Sequence, residues 1–282
     1  MEIRTLERIK LDALCDCFNL AFSDYVVPLQ MTTEQLERKF KLARVELSLS
    51  FCAVDNDQLV AFVLHGVDWI ENKKTLFNAG TGVIPTYRGQ RLVEKIYQFA
   101  QPHMLKNQVQ HYQLEVIQSN QKAIRAYQKV GYQITRELVC FKGEIKQTQV
   151  LADLSIVIEQ RPIPTLPFKE LAAYVDCNPA WEQSFAAIKQ NPEGLTAFVV
   201  RVNDQLAGYL IVHKGKGSIV QFAVDPQQRK QGLATRLFNE LSKHSATVSI
   251  VNVDKRATAV IEFLTKIGLE PFVEQYKMEL EV

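Results

Sequence analysis

Gln221-Phe222-Ala223-Val224-Asp225-Pro226-Gln227-Gln228-Arg229-Lys230-Gln231-Gly232-Leu233-Ala234-Thr235-Arg236-Leu237-Phe238-Asn239 joins a strand to a helix within one short turn, and the rest of the chain can be placed around it. Gln221 to Val224 reads as a buried strand, and Asp225-Pro226 halts it. A helix opens over Arg229 to Ala234, with Leu233, Leu237 and Leu241 at i, i+4 and i+8. The start of a helix has free backbone N–H groups and a partial positive charge, and a glycine there lets an anion approach the backbone. The stretch therefore favours a phosphate ligand.

Outward from this stretch, strands alternate with helices. Met1 to Leu6 reads as a strand and Leu6 to Phe22 as a helix, followed by a loop at Ser23-Asp24-Tyr25 to Pro28 and a second helix over Thr32 to Ala43. Ser50 to Val54 and Gln58 to Gly66 make a hairpin around Asp55-Asn56-Asp57, and Phe77 to Ile84 is a further strand. A helix from Arg88 to Ala100, with Leu92, Ile96, Phe99 and Ala100 inward, is expected to stop near Pro102. Gln110 to Ile117 is a strand, Asn120 to Val130 a helix, and Gly131 to Phe141 opens a final strand pair.

The same order then recurs. Asn56-Asp57-Gln58-Leu59 returns as Asn203-Asp204-Gln205-Leu206, and Pro85-x-x-Arg88 returns as Pro226-x-x-Arg229. Ile124, Tyr127, Val130 and Gly131 return as Ile261, Leu264, Ile267 and Gly268. Three matches in one order indicate an internal duplication, with a boundary in the polar passage Gly143 to Leu154 that gives domains 1–147 and 148–282. Arg161 to Pro167 reads as a rigid turn, and Phe168 to Gln190 as a helical region carrying a cap and turn at Asp176 to Trp181. Each half is expected to be a mixed α/β sheet.

Composition narrows the function. The 282 residues suit two domains, 47% are hydrophobic and 23% charged, and the net charge is only +2. Nothing in that balance calls for nucleic acid or a membrane surface as a partner. Five scattered cysteines without a Cys-x-x-Cys pair, a charged start MEIRTLERIK and no long apolar run set the expectation of a cytoplasmic protein with reduced thiols. Gly80-Thr81-Gly82 resembles the start of a dinucleotide fingerprint, but Pro85 stands at the third glycine position. There is no P-loop, no nucleophile elbow, and no metal-like spacing among the five histidines.

The pattern V-x-P-x-x-R-x-x-G-x-A at Val224, Pro226, Arg229, Gly232 and Ala234 resembles the pyrophosphate loop of the GNAT superfamily of N-acetyltransferases. The resemblance covers nearly the whole chain and implies two tandem acyl-CoA N-acyltransferase folds that use acetyl-CoA. It assigns the diphosphate to Arg229, Lys230, Gln231, Gly232, Leu233, Ala234 and Thr235, and the pantetheine arm to the backbone of Phe222, Ala223 and Val224. The charges of Arg229 and Lys230 read either as phosphate partners or as solvated surface groups. In the first half the same loop is Arg88, Gly89 and Gln90 after Val83, but Arg91 stands where the glycine is expected and Val93 where Gly or Ala is usual.

The later motif of the family, an Asn followed seven residues on by a Tyr, is intact only in the first half, as Asn120 and Tyr127. The resemblance makes Tyr127 the acid that protonates the departing thiolate and Asn120 its cofactor-facing neighbour; without it, Tyr127 reads as a core aromatic in line with Ile124 and Val130. Glu115, between Leu114 and Val116, reads either as a general base or as a solvent-facing residue. The second half has Ala257 and Leu264 at the two motif positions, which leaves Tyr276 or water as its proton donor. Acetyl transfer to a primary amine, on a small molecule or a peptide, by direct attack in a ternary complex is the expected function. Ser23-Asp24-Tyr25 or Asp176 to Trp181 would line the acceptor entrance. The rival readings are a non-catalytic CoA-binding or regulatory protein and an aminoacyl-tRNA-dependent transferase, the latter lacking a basic balance.

Overall fold

The structure, a computed structural model, describes residues 1–24, 29–147 and 155–281. Contacts divide the chain into two compact units, Met1–Thr135 with Tyr276–Val282, and Arg136–Gln275. This differs from the expected sequential boundary at 147/148. The reason is that the sheet of each unit is completed by a strand from the far end of a half, so no single cut separates them.

The first unit contains strands β1 (Glu2–Thr5), β2 (Phe51–Asp55), β3 (Gln58–Ile70), β4 (Lys73–Val83) and β5 (His111–Ile117), with helices α1 (Leu11–Ala21), α2 (Thr33–Ala43), α3 (Leu92–Lys106) and α4 (Gln121–Val130). Strand β6 (Gln133–Glu144) begins in this unit and runs into the second. The second unit continues with strands β7 (Ile156–Arg161), β8 (Leu195–Val202), β9 (Gln205–His213), β10 (Ser218–Val224) and β11 (Thr247–Asp254), and helices α5 (Phe168–Ala172), α6 (Phe185–Gln190), α7 (Leu233–Ser242) and α8 (Thr258–Lys266). Strand β12 (Glu270–Glu281) ends the chain and returns its last residues to the first unit. The strand order is β1-β2-β3-β4-β5-β12 in the first unit and β6-β11-β10-β9-β8-β7 in the second. The mixed α/β sheets expected from the alternation are present.

Local chemistry explains the boundaries. Thr32 and Gln35 form a reciprocal capping box at the start of α2. Helix α1 starts at Leu11, later than expected, and α3 runs through Pro102 to Lys106. Pro102 removes one backbone donor without ending the helix, and Phe99 lies on the exposed side, contrary to the expectation of an inward residue. The helical region at 168–190 is broken into α5 and α6, with Asp176 to Ala180 as an extended connection.

In the second unit the sheet is covered on both faces. Leu233, Leu237, Phe238 and Leu264 pack with Val212, Ile219 and Ile250 on one side. Leu171, Tyr174 and Ile188 pack with Ala197, Tyr209 and Ile211 on the other. The first unit places a fully buried His65 beneath α3, with its ring facing Phe51, Tyr97 and Tyr112 and its Nδ1 2.7 Å from the Leu49 carbonyl oxygen. Burial pushes the imidazole down to about 4.

A neutral buried imidazole makes stability fall with acid. Between the ordinary histidine range near 6.5 and about 4, the unfolded chain binds one more proton than the folded one, so stability present at neutral pH is lost as pH falls through that window. The full effect is on the order of 3 kcal/mol. Urea midpoints measured from pH 7 to pH 4 should decline steeply in the wild-type chain and distinctly less in His65→Val, which installs the residue found at Val212.

Candidate functional site

The two parallel strand pairs separate soon after they meet. Strands β10 and β11 pair at Ser218↔Ser249 and Ile219↔Ile250, and β4 pairs with β5 from Thr75↔His111 to Phe77↔Gln113. In both cases a bulge follows. Val220 is the extra residue between Ile219↔Val212 and Gln221↔Ile211, and Ala79 is the extra residue between His65↔Asn78 and Leu64↔Gly80. A bulge bends its strand and re-aims the residues beyond it, so β10 turns away from β11 and leaves a cleft.

In the second unit that cleft is a cavity of about 640 Å³. Phe222, Val260 and Phe263 line it from the α7–α8 layer, and Tyr174, Val220 and Ala223 from the α5–α6 layer. The opening therefore passes through the sheet. Among the residues singled out in the sequence, Phe222, Ala223, Val224, Arg229, Lys230, Gly232, Leu233, Ala234 and Thr235 line it, whereas Gln231 is exposed outside the lining. Leu233 is itself core, so its polar contribution is its backbone.

Gly232 is the N-cap of α7 with φ 78°, and no side chain caps the helix. The first-turn N–H groups have no partner within the helix, and they face the cavity end lined by Gly232 to Thr235. Lys230, with φ 61°, is exposed beside them. Arg229 is employed differently from the phosphate partner that the sequence allowed. Its Nε donates to the Val224 carbonyl oxygen at 3.1 Å, Nη2 to the Tyr174 carbonyl oxygen at 2.9 Å, and Nη1 to Asp176 at 2.9–3.0 Å. The guanidinium thus clamps the end of β10 to the segment after α5.

The first unit repeats this device. Arg88 Nε donates to the Val83 carbonyl oxygen at 3.2 Å, Nη2 to the Ala21 carbonyl oxygen at 3.0 Å, and both Nη atoms to Asp24 at 2.6–2.8 Å. This pairing holds the Asp24 carboxyl below the ordinary carboxylate range. The loop backbone is also repeated: Gly89 and Arg91 have φ 79° and 56°, as Lys230 and Gly232 have 61° and 78°. Arg91 is the N-cap of α3 in the left-handed region, and its side chain stands where the second unit has only a hydrogen. Gln90 is exposed and Val83 half-buried.

Asn120 caps α4, its Oδ1 accepting from the Ala123 N–H at 3.1 Å. Its Oδ1 therefore serves the helix. Tyr127 is buried on α4 with its ring 5.8 Å from that of Tyr132, and Glu115 is half-buried on β5. Of the stretches expected to line the acceptor entrance, the carboxylates Asp24 and Asp176 are both paired with the arginine clamps, and Tyr25 lies outside the described residues. Tyr276 falls in the first unit and Leu264 in the second. The sequence did not single out Asn78, Tyr97 or Tyr132, which form a buried hydrogen-bonded group beside Tyr127; they come from separate elements that no local spacing connects. Among the described residues no group of His, Cys, Asp and Glu forms a metal site, and no helix is long and apolar enough to cross a membrane.

The model of the acetyltransferase (GNAT) family matches residues 12–132, and that of an acetyltransferase (GNAT) domain matches residues 172–275. This chain belongs to the GNAT acetyltransferase family. It is an acyltransferase by family, built from two tandem GNAT folds. Among solved structures it is similar to a tandem GNAT protein from the clavulanic acid biosynthesis pathway, solved without AcCoA, at 13% identity over 99% of this chain and 98% of that one with a TM-score of 0.72. A GCN5-related N-acetyltransferase from Sphaerobacter thermophilus is similar at 15% identity over 99% and 95%, TM-score 0.69. A putative acetyltransferase from Pyrococcus horikoshii follows at 12% identity over 100% and 89%, TM-score 0.66. At these identities the likeness speaks for the fold. No curated protein matches the sequence significantly.

The clamp has a measurable consequence. A lysine cannot reproduce a planar fork that reaches two carbonyls and a carboxylate together, so Arg229→Lys and Arg229→Met should both loosen the Tyr174–Asp176 segment. Hydrogen exchange at Val175 and Asp176 should rise on the order of tenfold in both variants, the equivalent of about one hydrogen bond, while exchange in β8 stays unchanged.

Proposed function

We propose that this chain is an N-acetyltransferase that uses acetyl-CoA to acetylate a primary amine, by direct attack in a ternary complex. The observation that carries this is the cleft at the β10–β11 separation, a through-sheet cavity that has an uncapped helix N-terminus at one end. Its volume of about 640 Å³ falls in the range of small-molecule and cofactor sites, and its donors suit a diphosphate. The N–H groups at the start of α7 and the Lys230 ammonium would hold the phosphates, and Gly232 allows close approach. Beyond Ile219, β10 no longer pairs with β11, so Phe222, Ala223 and Val224 have backbone groups on that edge for the pantetheine amides. Lys266, at another part of the lining, adds positive charge.

Acetyl-CoA brings an activated thioester carbonyl when bound; the residues of the chain supply position and protons. In the first unit, Tyr127 would hold the proton for the leaving sulfur, and Glu115 would take one from the incoming ammonium. The second unit has Leu264 at the position of Tyr127, so it is the better cofactor grip and the poorer acid. Turnover is therefore assigned to the first unit and cofactor retention to the second. A non-catalytic CoA-binding protein is the second reading, favoured by one observation: Arg91 occupies the N-cap of α3 in the unit that carries the tyrosine.

Calorimetric titration of acetyl-CoA and desulpho-CoA into wild type, Gly232→Arg and Arg91→Gly separates these readings. Gly232→Arg should abolish binding in the second unit, and Arg91→Gly should tighten binding in the first. Tyr127→Phe should lower kcat by about 10²-fold with little change in cofactor affinity. Absence of any CoA binding would sink the proposal, and binding without CoA release across a broad amine panel would establish the non-catalytic reading.

A further inference from the structure

The two units provide an internal comparison. Counting from shared landmarks, His65, Asn78, Thr81, Tyr97, Tyr112, Tyr127 and Tyr132 of the first unit stand where the second has Val212, Ile219, Phe222, Phe238, Val248, Leu264 and Leu269. Every one of these second-unit residues belongs to, or packs against, a single apolar core. The fold thus closes around hydrocarbon at all of these positions, and the polar set in the first unit is not required to build it. Burying polar atoms costs free energy unless they are paired, and within this set Asn78, Thr81, Tyr97 and Tyr132 are paired with one another.

The Asn78 Nδ2 donates to Tyr97 Oη at 3.1 Å and to Thr81 Oγ1 at 2.7 Å, and the Tyr97 and Tyr132 hydroxyls are 3.0 Å apart. A phenol has one proton. The Tyr97 oxygen accepts from Asn78, and the Tyr97 and Tyr132 hydroxyls share one hydrogen bond in which either can be the donor. The adjacent ring is Tyr127, at 5.8 Å between centroids. Burial pushes the Tyr97 and Tyr132 hydroxyls up, away from ionisation, so both stay neutral.

We infer that Asn78, Tyr97 and Tyr132 are positioning residues, a buried hydrogen-bonded group that fixes the Tyr132 ring against Tyr127 and so orients the Tyr127 phenol. This rests on the reading of Tyr127 as the acid of an acyl transfer. In that step the C–S bonding pair stays with sulfur, the Tyr127 proton goes to that sulfur, the attacking nitrogen loses its proton to Glu115 or water, and the Tyr127 phenolate regains a proton from water.

The test uses the full chain labelled with ¹³C at tyrosine Cζ, with no ligand added, together with amine turnover. Tyr97→Phe and Tyr132→Phe are the variants, Phe238 showing that the fold accepts phenylalanine at the first position. Both should shift the Tyr127 Cζ resonance, and both should lower kcat about tenfold, the equivalent of one hydrogen bond lost from the group that positions the acid, without changing KM for acetyl-CoA. In a Tyr127→Phe background neither should lower kcat further, because residues that act through one group are not additive. A Tyr127 resonance unmoved in both variants overturns the inference even if the protein turns over. So does a tenfold loss that persists in the Tyr127→Phe background. A wild-type chain without turnover overturns the functional reading alone, and the resonance then decides whether the hydrogen-bonded group positions Tyr127.

Discussion

One extra residue in a strand creates the cleft. At Val220 and at Ala79 the bulge ends the agreement between a strand and its parallel neighbour, and the next residues have no partner on that side. Parallel pairing would otherwise fill the centre of each sheet with backbone hydrogen bonds. The cost of those forgone bonds is limited because the strand beyond the bulge remains tied on its other side, at Phe222↔Leu210 to Val224↔Gly208 and at Gly80↔Leu64 to Val83↔Ala61. The arginine clamps then fix the exit of the bent strand. Arg229 and Arg88 each bind the carbonyl of the last strand residue, Val224 or Val83, and an aspartate from the preceding helical layer. The position of the following helix start, and hence of its N–H groups, depends on this bracket.

The clamp also shows where the sequence was legible and where it was not. The duplication, the strand–turn–helix at Gln221 to Asn239 and the mixed sheets could be read from periodicity and repeated landmarks. The task of Arg229 could not. An arginine three residues before a helix N-cap suggests an anion, but the carbonyl acceptors at Val224 and Tyr174 come into reach only when the strand end and the α5 segment are folded together. Asn120 is a similar case, since a residue at a helix boundary has a local partner, the Ala123 N–H, that competes with any ligand. The return of Tyr276 to Val282 to the first unit left no local signal either, because β12 reads as the closing strand of its own half whichever sheet it completes.

The two units place their buried polar groups on opposite sides of the bent strand. In the first, Asn78, Tyr97 and Tyr132 lie under α3 and α4, while Phe62 and Gly80 make the other face apolar, with Phe62 stacked 5.7 Å from Phe18. In the second, Phe222, Phe238 and Phe263 fill the α7–α8 side with mutual ring contacts at 4.9–5.9 Å. Its polar pair is on the opposite face: Tyr209 and Gln221 stand where the first unit has Phe62 and Gly80. The Tyr209 hydroxyl donates to Gln221 Oε1, and Gln221 Nε2 donates to the Gln183 carbonyl oxygen at 3.1 Å. Neither copy carries both sets.

This exchange of polarity bears on what each cleft can do. The paired hydroxyls of Tyr97 and Tyr132 under α3 and α4 can act only on that side, where the Tyr132 ring meets Tyr127 of α4. Gln221 has both ends of its amide occupied, so it joins the sheet to the segment before α6 and gives the second cavity a rigid wall rather than a titrating group. An apolar wall with Phe222 and Phe263, a fixed amide and an uncapped helix start form a site suited to retaining a long, phosphorylated ligand. They offer no donor in the place where the first unit has a phenol. The fold is the same in both copies; the difference in chemistry follows from which side of one bent strand is allowed to keep its hydroxyls.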